Sequence, residues 1–345
     1  MGEQRRQPNS GDKTVVIALE DGTPGQVYVY VSDKKKAGNP IERAGLSGGS
    51  LFGISVTNRG ANYAGGPVAH ENNGAVNGPF VLANVSAAAL GTGAALQTLS
   101  VAQHVTEFAR PEDGAWDTLN PRVFYFVTTG ARIDGQDQPS KLYKLTFDSI
   151  TNPTTGKIEM VVDRASLVAG PPTPQPAALA PGEKAEPFFA QFDNITVDSK
   201  GFVMVQEDPG NVAYIARTWK VDPSTRAATE VLKSDSDRFL PVGSPAGTPP
   251  PYNKDEESSG IIEVTRLVRD AWWYEHGRRY FLADLQAHYA LPPPYVEGGQ
   301  LYLVTSPRVQ YHDDRDDHDR DDHDNHDNLH GGDHHDRDGD RDGRR

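Results

Sequence analysis

Acidic and amide residues recur beside short apolar runs at several places in this chain. Glu112, Asp113 and Asp117 crowd three carboxylates into six positions, with Trp116 among them. Asp193 and Asn194 pair a carboxylate with an amide just before Ile195–Asp198. Gln206, Glu207 and Asp208 follow Phe202–Val205; Asp255, Glu256 and Glu257 precede Ile261–Val264; Gln286 and His288 end the run that begins at Phe281. A calcium ion takes six to eight hard oxygen ligands, and separate repeats that bring such residues to one rim would supply them. Like charges packed this closely repel, and a bound cation relieves the repulsion. The plainer uses are turn carboxylates that cap their own backbone, a Ser258 or Ser259 cap on a helix opening at Ile261, and a structural His288.

The elements that would carry these residues have a period of two. Val27–Val31, Arg122–Val127, Leu142–Phe147 and Leu301–Val304 are β-branched and aromatic runs, mostly bounded by Gly, Asp, Asn or Pro, which is a strand signal. Helical periodicity is almost absent; 85–98 predicts a weak helix at most, and 261–269 fits strand or helix. Stacked, the runs form four units: 26–33 with 50–56; 121–130, 141–148 and 157–163; 194–208, 213–222 and 227–234; and 261–268, 279–288 and 298–306. Their spacing exceeds the ~40–50 residues of a compact propeller blade, so each unit spans more than one blade or carries long loops. The expected fold is all-β, a β-propeller of incomplete or irregular form, with a sandwich second. Residues 61–93 and two proline-rich stretches, 170–181 and 242–252, read as excursions between strands.

Composition narrows the function. The 345 residues carry a formal charge of −14, and residues 311–345, with 14 Asp and six Arg, hold −8 of it. An acidic body argues against a nucleic-acid partner. That tail also holds seven of the 11 His and predicts a disordered segment with weak affinity for divalent metals at most. The expected organisation is a disordered 1–12, a propeller over 13–308 and a disordered 309–345. The absence of cysteine excludes disulfides, thiolate metal sites and a Cys nucleophile. No apolar run approaches a membrane span, and residues 1–6 lack the apolar stretch of a signal peptide. No nucleophile elbow, His-Glu-x-x-His or phosphate-cradling loop appears, and His70-Glu71 is an isolated pair.

Four short motifs in order do resemble a family. Arg110-Pro111-Glu112, Asp193-Asn194 with Asp198-Ser199-Lys200-Gly201, Glu257-Ser258-Ser259-Gly260 and Gln286-Ala287-His288 resemble the PhoX-type alkaline phosphatases, calcium-dependent β-propellers of bacteria. The resemblance spans roughly 25–306. It implies an exported (periplasmic or extracellular) monomeric hydrolase of small phosphate monoesters, shortened at its N-terminus and using calcium together with iron. It implies Glu112 and Glu257 as central metal ligands, joined by Asp193, Asn194 and Glu207, with Asp113 from the same acidic run. Arg110 and His288 become the catalytic candidates, and Arg110 or Arg266 the phosphate clamp. Two departures count against part of this. The family's iron site includes a cysteine, which this chain lacks, and Asp255 and Glu256 stand where an arginine is expected. A lactonase-type propeller that holds one calcium, and a calcium-stabilised propeller without catalysis, are the alternatives.

Overall fold

The computed structural model describes residues 11–57, 71, 75–133, 136–163, 191–208, 215–235, 237–239, 251–252 and 256–308. The expected N-terminal and C-terminal tails fall almost wholly outside these residues, as does Asp255. The four sequence units are four antiparallel meanders, and each is one blade with long connections. Blade one comprises β1 (Lys13–Leu19), β2 (Gly25–Asp33), β3 (Ser50–Val56) and β4 (Gly78–Asn84). Blade two comprises β6 (Pro111–Trp116), β7 (Val123–Thr128), β10 (Lys141–Phe147) and β11 (Thr155–Asp163). Blade three is β12 (Phe192–Val197), β13 (Val203–Glu207), β14 (Arg217–Val221) and β15 (Ala228–Lys233). Blade four has three strands, β16 (Glu257–Glu263), β17 (Tyr280–Ala290) and β18 (Glu297–Thr305). Short accessory strands are β5 (Glu107–Phe108), paired with β2, and the hairpin β8 (Ala131–Ile133) with β9 (Gln136–Gln138). The helices are α1 (Pro40–Arg43), α2 (Gly93–Ala102) and α3 (Thr265–Val268).

The first strands of blades two, three and four, β6, β12 and β16, lie side by side, and β1 approaches β6. They run in the same direction. Near their starts, Ile195 N donates to Asp113 Oδ2 (3.0 Å) and Asn194 Nδ2 to the Ser258 carbonyl (3.4 Å). At their ends, Thr118 Oγ1 donates to the Asp198 carbonyl (2.6 Å) and Ser199 N to Glu263 Oε2 (2.6 Å). This is the innermost layer of a propeller, with one rim formed by the strand starts and a far rim formed by their ends.

The core lies between the blades. Alternation sends Val27, Val29, Phe126, Tyr143 and Phe147 into the gap between blades one and two, where β4 and β11 also pair directly. Val123, Tyr125, Val127, Val203, Val205 and Trp219 fill the next gap. The third gap is thinner, with Met204, Ile261, Phe281 and Ala283 buried. Burial of each large side chain contributes roughly 1.5–3 kcal/mol. The outer face of blade one is covered by α2, whose Leu96 and Leu99 pack towards Tyr28, Val85 and Val105.

Three local expectations change. The segment 111–116, read as a turn before a strand, is itself the strand β6. The long loop expected over 61–93 contains β4, and 93–102 is a helix capped by Thr92, whose side chain accepts from Ala95 N. The helix cap expected before Ile261 is absent because 257–263 continues as strand; helix begins only at Thr265.

Candidate functional site

Strand geometry separates the three crowded carboxylates of 112–117. A bulge between Pro111 and Gly114 interrupts the β6–β7 register. Gly114 is required there, since a Cβ would sit 2.3 Å from the Phe124 ring. Asp113 turns inward and spends its carboxylate on backbone, accepting from Gly114 N (2.6 Å) and Ile195 N (3.0 Å). Asp117 lies at the far end of the strand. Only Glu112 remains on the rim of strand starts.

Arg110 stands in front of β6 in the left-handed region, φ +60°. Its Nε donates to Asp21 Oδ1 (2.8 Å), and its Nη2 donates to Asp21 Oδ2 (3.3 Å) and Glu112 Oε1 (2.6 Å). Nη1 has no partner among the described residues. Arg110 thus ties the β1–β2 turn of blade one to the first strand of blade two. Behind it lies Glu71, fully buried, which accepts from Ala109 N (2.7 Å), Tyr143 Oη (2.7 Å) and Thr128 Oγ1 (3.3 Å) and pairs with Lys141 Nζ at 2.9 Å. Of the pair His70-Glu71, isolated in sequence, His70 lies outside the described residues, and Glu71 supplies buried support for the backbone that presents Arg110.

Across the rim, Asp193 and Asn194 occupy a bulge in β12, and Asn194 Nδ2 donates to Asp193 Oδ2 at 2.5 Å. Glu257, the first residue of β16, accepts from Ser259 Oγ (2.8 Å) and faces His288 Nε2 at 3.4 Å. His288 is also left-handed, φ +49°, with its Nδ1 3.4 Å from Glu297. Among the described residues the rim carries more negative charge than Arg110 offsets. Burial pushes the Glu112 carboxyl up, and the charges of Asp193 and Asp21 push further, to about 8; Arg110 only partly opposes them because Asp21 takes most of its hydrogen bonds. Burial, then the charges of Glu257 and Asp208, raise Asp193 to about 7. Asp284 is raised by burial and by Glu257.

The remaining sequence candidates lie elsewhere or are engaged. Glu207, fully buried, accepts from Trp219 Nε1 (2.8 Å) and Arg217 N (3.1 Å), on the blade-two side of its sheet. Arg266 is not on this rim. It lines a groove of about 620 Å³ at the far rim, with Leu119, Ser199, Lys200 and Glu263. Among the described residues no three His, Asp or Glu side chains stand close enough to hold one ion. The donor set nevertheless suits a hard cation: the carboxyls of Glu112 and Asp193, from two blades, are raised by burial and neighbouring charge, and the fully buried Gln206, opposite the Asp193–Asn194 bulge, has neither amide atom hydrogen-bonded.

Comparison with known proteins bears on the fold. No protein-family model and no curated protein matches the chain. Among solved structures, Pseudomonas fluorescens PhoX in complex with vanadate, a transition state analogue, superposes with a TM-score of 0.50 at 14% identity, over 85% of this chain and 51% of that one. The fold is PhoX-like. The chain spans about half the length of that PhoX structure. A Synechocystis apocarotenoid oxygenase mutant aligns over 88% of this chain and 64% of its own, at 11% identity and a TM-score of 0.31. The PhoX likeness bears out the all-β propeller expected from the strand pattern. No helix among the described residues is long and apolar enough to cross a membrane.

Proposed function

We propose that calcium draws Glu112, Asp193 and Glu257 of the rim of strand starts closer together than they stand here, and that the loaded site hydrolyses small phosphate monoesters. One observation supports this above the others: three separate blades deliver half-buried carboxylates to one rim, and among the described residues Arg110 only partly offsets the charge that raises Glu112 and Asp193. Calcium bound there would neutralise phosphate oxygens and the developing negative charge of phosphoryl transfer to water. Arg110 would orient the phosphate through Nη1, and Asp21 and the Glu71-supported backbone hold the guanidinium in place. His288, positioned between Glu257 and Glu297, would move a proton to the departing oxygen. The PhoX-like fold favours this reading because the matched PhoX binds vanadate, which imitates phosphate at its transition state. With no cysteine in the chain, the reading carries calcium and leaves iron out.

A second reading has a specific observation behind it. Arg110 already gives two hydrogen bonds to Asp21, which leaves little clamp for a dianionic phosphate, and a one-calcium lactonase-type hydrolase needs no such clamp. The test is hydrolysis of a chromogenic phosphate monoester at alkaline pH, with calcium and then with excess chelator. Turnover that requires calcium and disappears in Glu112→Ala and Glu257→Ala is the expected result. No turnover on phosphate, but calcium-dependent opening of a chromogenic lactone, would replace the first reading with the second.

A further inference from the structure

The register around the β12 bulge identifies a residue beneath the rim. Val205 pairs with Ile195 and Glu207 with Phe192, so the residue between them, Gln206, lies opposite the bulged Asp193 and Asn194. Alternation along β13 sends Val203 and Val205 into the apolar gap towards blade two, and Met204 into the gap towards blade four. Gln206 shares the face of Met204. At its level the apolar packing stops and polar groups take over. Asn194 reaches the Ser258 carbonyl, and the buried Glu256 accepts from Ala216 N (3.2 Å), two residues before Thr218, the cross-strand partner of Gln206.

Gln206 is 0% exposed, and neither Nε2 nor Oε1 has a hydrogen-bond partner. Buried amides are normally paired, because an unpaired one has given up its water for nothing. A methionine would fill the same space without that cost. An amide kept here therefore points to an occupant, and the residues opposite it in the strand register are the bulged Asp193 and Asn194.

We infer that Gln206 is a buried ligand of the rim's cation site, giving a neutral amide oxygen to the hard divalent ion held by Asp193 and Glu257. The inference rests on the calcium reading above and adds a residue to it. An amide oxygen contributes to coordination without adding charge. On a rim already overloaded with carboxylates, it completes the ligand set where another Asp or Glu would worsen the repulsion. Position 206 thus meets opposite demands: apolar packing alone favours an apolar side chain, and ion coordination favours an oxygen.

Calcium titration of the chelator-treated full chain, alongside Gln206→Met and Gln206→Glu, with melting temperatures measured in chelator and in calcium, tests this. The Asp- and His-rich tail is common to all three proteins and cancels. Gln206→Met is expected to melt at or above the wild type in chelator, to bind calcium at least tenfold more weakly, and to lose most of the calcium-induced rise. Gln206→Glu is expected to melt lower in chelator and to recover in calcium, with affinity at or above the wild type. Wild-type affinity in Gln206→Met, or a melting temperature already lowered in chelator, would make Gln206 a packing residue and overturn the inference while leaving the calcium site standing. Affinity in Gln206→Glu below that of the wild type would also overturn it. No saturable binding by the wild type would remove the calcium reading and this inference together.

Discussion

The two ends of the same three inner strands treat carboxylates in opposite ways. At the far rim each acid is satisfied by its own turn or its neighbour. Asp117 Oδ1 accepts from Leu119 N and Asn120 N, and Oδ2 accepts from Tyr125 Oη. Asp198 Oδ1 accepts from Lys200 N (2.8 Å) and Phe202 N (3.0 Å), while Oδ2 pairs with Arg279. Glu263 accepts from Ser199 and Thr265. At the rim of strand starts, Glu112 and Asp193 have few such donors; burial and the charge of Asp193 raise Glu112, and burial and the charges of Glu257 and Asp208 raise Asp193. A carboxylate satisfied by its own turn holds the fold; one left facing other carboxylates is available to a ligand.

That contrast can be broken from either end, and the far rim should give the largest change. Asp198→Ala removes two turn hydrogen bonds and strands Arg279, so stability should fall by about 3 kcal/mol, read from denaturant melts. Its calcium affinity should stay within about twofold of the wild type, because the strand starts are untouched. Glu112→Gln should do the reverse, lowering calcium affinity at least tenfold while leaving the melting temperature in chelator unchanged or higher. Both raised carboxyls also predict a pH effect. A group that holds its proton more tightly in the folded state stabilises the fold below its unfolded pKa, and loses that contribution as pH rises through its folded value. Stability without calcium should therefore decline from about pH 4.5, the ordinary Glu value, towards the raised Glu112 value of about 8, and saturating calcium should flatten the slope. The smallest effect belongs to Asp117→Asn. The amide oxygen keeps the two turn bonds and only the Tyr125 contact is weakened, for about 1 kcal/mol or less.

Much of the architecture was legible because it depends on alternation. Runs such as Val123–Val127 and Leu142–Phe147 bury both faces between blades, and that demand writes itself into the sequence as β-branched and aromatic residues. Strand β6 was less legible: Pro111–Trp116 contains only two apolar side chains beyond its proline, and its strand character comes from neighbours on both sides. Asp193 stands at the start of an inner strand, close to where the sequence placed it, whereas Glu112 and Glu257, read as lying ahead of a strand, are themselves within β6 and β16. Sequence spacing could not separate Glu112 from Asp113 and Asp117, because a bulge, and not alternation, decides which of them stays on the rim. Nor could it assign Glu71, whose partners Ala109, Thr128, Lys141 and Tyr143 are brought together by the packing of blade two, or Gln206, which is distinctive only for the hydrogen bonds it lacks.

The central claim is that the rim of strand starts exists to hold a cation. The most direct measurement is the calcium-binding isotherm of the chelator-treated full chain, compared with that of Asp193→Asn, in which the tail contributes equally to both. A saturable component is expected in the wild type, weakened at least tenfold in Asp193→Asn. Superimposable isotherms would contradict it and leave the acid rim without its ion.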